Sequence, residues 1–65
     1  MKTYVAYEGD IEYVGVVYAG SELDVAKSKQ KHEGLDFYIE VWANGKIIGY
    51  YSYNADENSF SYESK

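Results

Sequence analysis

The chain reads as a small α+β domain, an antiparallel sheet in the order ββαββ with an optional fifth strand at the C-terminus and one helix on one face. Three features lead there. Two runs of aromatic and β-branched residues, Lys2 to Tyr7 and Tyr13 to Tyr18, are separated by turn-forming Glu8-Gly9-Asp10. Ser21-Glu22-Leu23-Asp24 resembles a capping box that opens a helix. Two further β-rich runs, between Asp36 and Tyr53, flank Asn44-Gly45, the strongest short-range signal for a type I′ hairpin.

The first two runs predict strands joined by a short connection and paired antiparallel, the second ending at Ala19-Gly20. The helix is expected over about 22 to 33, with Asp at its third position, acids in the first turn, and Lys27, Lys29, Lys31 and His32 gathered where the dipole favours positive charge. Gly34 supplies the left-handed residue that closes it. Its apolar stripe is thin: Leu23, Ala26 and Val25, with Gln30 where a fourth contact belongs.

A two-residue hairpin loop allows the strand pairs to be counted outward from the turn. Ala43 then faces Lys46, Trp42 Ile47, Val41 Ile48, Glu40 Gly49, Ile39 Tyr50 and Tyr38 Tyr51. Alternation puts Phe37, Ile39, Val41, Ile48 and Tyr50 on a core face under the helix, and Tyr38, Trp42, Ile47, Tyr51 and Tyr53 on the other. The tail from Asn54 opens with turn formers and alternates at Ser59-Phe60-Ser61-Tyr62-Glu63, so it reads either as a short terminal strand or as a frayed end.

Sixty-five residues make a single domain whose core seldom supplies more than about 3–5 kcal/mol. With no cysteine, disulfides and thiolate metal sites are excluded together, and one histidine cannot build a zinc site. Of the usual supports for so small a fold, oligomerisation is left. Eleven acidic residues against six lysines give a net charge of -5, which opposes nucleic acid and anionic membranes and favours basic protein surfaces. No stretch approaches the roughly 20 apolar residues of a membrane span, and the N-terminal residues lack a leader's apolar region, so the expectation is a cytoplasmic protein.

No phosphate-binding loop, dinucleotide fingerprint or nucleophile elbow is present, and a sheet this small offers little depth for a water-excluding pocket. The expectation is therefore a binding protein, not an enzyme, with no catalytic residue, cofactor or metal. Glu8, Asp10 and Glu12 fit no calcium loop, nor does Asp56-Glu57-Asn58; both read as solvated turn acids, the first group forming an acidic rim. His32 reads as a surface or structural residue. Nine tyrosines, two phenylalanines and one tryptophan exceed what one thin helix can cover, so some face outward. They either populate a half-exposed sheet or form a contact surface, and the second reading is preferred because Tyr and Trp are enriched at interfaces. The candidate surface is Tyr38, Trp42, Ile47, Tyr51 and Tyr53 with the rim Glu8, Asp10 and Glu12.

From Val14 to Lys27, and at Glu40-Val41-Trp42-Ala43-Asn44-Gly45-Lys46-Ile47-Ile48-Gly49, the chain resembles short uncharacterised proteins of phages and Gram-positive bacteria. The resemblance transfers no catalytic residue. It implies a phage-encoded protein that docks and inhibits a host bacterial protein, such as an antiviral defence component, in the host cytoplasm. Two other functions compete: a sponge for nucleotides stacked between tyrosines, which scarce lysines disfavour, and a structural homo-oligomer subunit. A homodimer is expected through the aromatic face, or alternatively through edge strands at the first strand or the tail.

Overall fold

The computed structural model describes residues 1–10, 12–30 and 36–65. Along the chain run β1 (Lys2–Gly9), β2 (Val14–Gly20), α1 (Leu23–Ser28), β3 (Asp36–Ala43), β4 (Lys46–Asn54) and β5 (Ser59–Ser64). The five strands form one open antiparallel sheet in the order β2-β1-β3-β4-β5, so the chain is an α+β domain of the expected kind and the tail is a strand. β1 is internal. The free edges belong to β2 and β5, which corrects the expectation that the first strand is an edge.

Local chemistry accounts for the turns. Asp10 Oδ1 accepts the backbone N–H groups of Glu12 and Tyr13, each at 2.9 Å, while the Asp10 N–H donates to the Tyr13 carbonyl at 2.8 Å. Asn54 Oδ1 takes the N–H of Asp56 at 2.9 Å and starts the turn into β5. In the central hairpin Asn44 has φ 54° and Gly45 φ 77°, the pair of positive values that a type I′ turn requires.

The helix is shorter than the sequence pattern predicts. It spans Leu23–Ser28, and its N-cap is Glu22 with no side-chain capping bond, so the expected capping box at Ser21 does not form. Instead the Glu22 N–H donates to the Tyr18 hydroxyl at 3.1 Å, which ties the helix start to β2. The expected closing residues Lys31, His32 and Gly34 lie outside the described residues. Leu23 and Ala26 face inward, whereas Val25 is exposed.

Ala6, Ala26, Phe37 and Ile39 form the buried cluster, with Tyr4, Tyr18, Leu23, Tyr51, Tyr53 and Phe60 packed around it. Alanine on both the helix and β1 lets a helix of six residues lie close to the sheet. Phe37, Ile39 and Val41 are buried on the core face of β3, as the alternation predicts. Each fully buried side chain of this kind contributes about 1.5–3 kcal/mol, so β3 holds much of the core energy.

The hairpin register differs from simple counting. Ala43 pairs with Lys46 and Trp42 with Ile47, but Val41 then faces Gly49, Glu40 Tyr50, Ile39 Tyr51 and Tyr38 Ser52. Ile48 is the extra residue of a β-bulge, and every side chain of β4 beyond it changes face. Tyr51 and Tyr53 therefore belong to the core side and Tyr50 to the opposite side, the reverse of the expected arrangement. A second irregularity lies between Ala6 and Tyr7, opposite Val17.

Candidate interaction face

The helix packs on one side of the sheet, and no described segment packs on the other. Ladder partners share a face, so the registers lay out this open side in rows. One row reads Val16, Tyr7, Tyr38, Ser52, Ser61 from β2 to β5. The next reads Ala19, Val5, Glu40, Tyr50, Glu63. Thr3, Trp42 and Ile47 follow toward the central hairpin, and Gly9 and Asp36 flank the opposite end.

Glu40 is the organising residue of this face. Its Oε1 accepts the Tyr7 hydroxyl at 3.0 Å and the Trp42 indole Nε1–H at 3.2 Å. Tyr7 stacks on Tyr38 with ring centroids 4.9 Å apart. Three aromatic rings are thus held around one carboxylate, each ring half-buried with no described segment packed above it. The Tyr7 hydroxyl titrates above its usual range because it donates to Glu40, with desolvation and the nearby Glu40 and Tyr38 charges adding to the effect. Beside Trp42 a depression of about 330 Å³ opens between Thr3, Val5, Trp42 and Ala43.

The covered side solves a similar problem internally. Tyr51 packs against Tyr62 and Tyr53 against Phe60, and the Lys27 ammonium sits 5.1 Å from the Tyr51 ring centre and 5.4 Å from that of Phe60. The aromatic residues of the strands thus fall into two groups on opposite faces, and among the described residues a cation sits over rings of the covered group alone.

Of the candidate residues, Tyr38, Trp42 and Ile47 share the open face, while Tyr51 and Tyr53 lie on the covered face. Glu8 is half-buried on the covered side opposite Phe37, so it is not part of a rim with Asp10 and Glu12, which are exposed in the β1–β2 turn. Tyr7, Glu40, Tyr50 and Val5 complete the open face and were not among the candidates. One signal for Glu40 was present: a lone acid inside the otherwise apolar Phe37-Tyr38-Ile39-Glu40-Val41-Trp42.

Among the described residues no group of three or more His, Asp or Glu side chains could hold a metal ion, and no helix is long and apolar enough to cross a membrane. Comparison of the chain with protein-family models, curated proteins and solved structures finds no match.

Proposed function

We propose that the chain is a non-enzymatic binding protein that docks a larger protein through its open sheet face. The observation that carries this reading is the uncovered cluster of Tyr7, Tyr38 and Trp42 around Glu40, extended by exposed Val16 and Tyr50. A rigid aromatic patch with a polar centre is the composition that concentrates energy in protein interfaces. The net charge of -5 favours a basic partner and disfavours nucleotides and nucleic acid. The resemblance to short phage and Gram-positive proteins supports a host bacterial protein as the partner. Within that reading the protein is a phage-encoded inhibitor acting in the bacterial cytoplasm on an antiviral defence component.

Affinity capture from a bacterial lysate tests the docking face, using wild type, Trp42→Ala and the helix-surface variant Val25→Ser, each first shown to be folded by circular dichroism. The expected result is one stoichiometric partner that wild type and Val25→Ser retain and Trp42→Ala loses. Equal recovery with Trp42→Ala moves docking away from this face, and recovery of no partner removes the reading. Restoration of phage growth in cells carrying a defence system tests the inhibitor role.

A second reading, a homodimer, is supported by the free edge of β2. The segment from Tyr13 to Gly20 carries no charge, and Val14, Val16 and Val17 are exposed along it. Such an edge lacks the charged residues that usually block strand pairing. Sedimentation of wild type against Val16→Lys tests this, with dimers expected only for the wild type.

A further inference from the structure

We propose that Glu40 and the rings around it form a binding site for an arginine side chain of the docked partner. This inference rests on the docking reading above and specifies its chemistry. Both hydrogen bonds that Glu40 receives converge on Oε1, from Tyr7 and Trp42. These neutral donors orient the carboxylate without neutralising it. Among the described residues Oε2 accepts no hydrogen bond. Lys2 and Lys46 each pair with Ala43 on the other side, and Lys65, beyond Ser64, follows Glu63 at the end of the outer strand β5, two strands away from Glu40. The strand positions of this face include three carboxylates, Asp36, Glu40 and Glu63.

An arginine fits these features better than other groups. Its guanidinium donates to a carboxylate and at the same time stacks on an aromatic ring, whereas an ammonium does the first well and the second less well. On its covered side the chain itself places a cation over aromatic rings, with Lys27 over Tyr51 and Phe60. On the open side the rings and the carboxylate are present, and among the described residues no cation sits over Tyr7, Tyr38 or Trp42. A second copy of the chain is a poorer occupant, since its matching face would bring carboxylates against carboxylates.

The test uses N-acetyl-arginine amide as probe, with uncharged N-acetyl-citrulline amide of nearly the same shape as control, both followed by amide and indole NMR shifts. Arginine amide is expected to shift the Trp42 indole N–H and the amides around Glu40, citrulline amide is not, and Glu40→Gln is expected to weaken arginine binding at least about tenfold. Glutamine keeps an oxygen acceptor for Tyr7 and Trp42, so this variant should remain folded, which its spectrum shows directly. Equal responses to the two probes, no response to arginine amide, or unchanged binding by Glu40→Gln overturns the inference. Concentration-dependent shifts of the same signals without probe assign the face to a second copy and also overturn it. A captured partner that Trp42→Ala loses and Glu40→Gln retains would leave docking intact while refuting the arginine site. A partner indifferent to both substitutions refutes docking itself.

Discussion

Tyr7 lies directly opposite Tyr38 in the β1–β3 ladder, and their rings stack with planes only 17° apart. This contact joins the two central strands on the side the helix does not cover, so it acts independently of the core. A double-mutant cycle with Tyr7→Ala and Tyr38→Ala is expected to show a coupling of about 0.5–1.5 kcal/mol in urea denaturation. A coupling near zero would mean that the rings merely lie side by side.

The same Tyr7 hydroxyl donates to Glu40, which holds its pKa above the ordinary 10.0. Because the folded value exceeds the unfolded one, the stabilisation is fully present below the unfolded pKa and is lost as pH rises through the folded value. Ultraviolet titration of tyrosinate should therefore show Tyr7 ionising late, identified as the transition that Tyr7→Phe removes. Glu40→Gln, by removing the charge that opposes ionisation, should bring that transition back toward the ordinary value.

Ile39 is completely buried at the centre of the central strand. Ile39→Val should cost about 0.5–1.5 kcal/mol and leave a folded protein. Ile39→Ala should cost about 2–5 kcal/mol, comparable with the about 3–5 kcal/mol that a core of this size supplies. Thermal melts by circular dichroism should show a lowered transition for the first variant and little or no cooperative transition for the second.

Gly9 closes β1 where the backbone of the β1–β2 turn passes against it. A Cβ added there would meet the Tyr13 carbonyl oxygen and approach Val14 Cα to 2.5 Å, and both obstacles are backbone. Gly9→Ala should therefore open the connection and destabilise the domain by about 1–3 kcal/mol. Hydrogen exchange should locate the loss of protection in β1 and β2, with β3 to β5 less affected.

Much of the architecture was legible because it depends on short-range chemistry. Asn44-Gly45 accepts positive φ at little cost, so the hairpin and its first two pairs follow from two residues. The alternation of Phe37, Ile39 and Val41 marks a buried face whatever lies beyond it. The helix was less legible: acids and lysines placed at suitable ends described a longer element, while its capping is decided by Tyr18, which reaches Glu22 from the end of β2. Of the open face, Tyr38, Trp42 and Ile47 were found from the turn, whereas Tyr7 and Tyr50 depended on strand neighbours that no local pattern specifies.

The sequence by itself determined the strands, the turn between β3 and β4, the aromatic excess and the negative charge, because each is a property of residues close together in the chain. Only the tertiary structure decided that β1 sits between β2 and β3, and that Ile48 bulges so that Tyr51 and Tyr53 turn inward while Tyr50 turns outward beside Glu40. The physical reason is the two-residue period of a strand. One extra residue reverses every side chain beyond it, and the arrangement adopted is the one that packs Tyr51, Tyr53 and Phe60 on the core side with Lys27 over Tyr51 and Phe60.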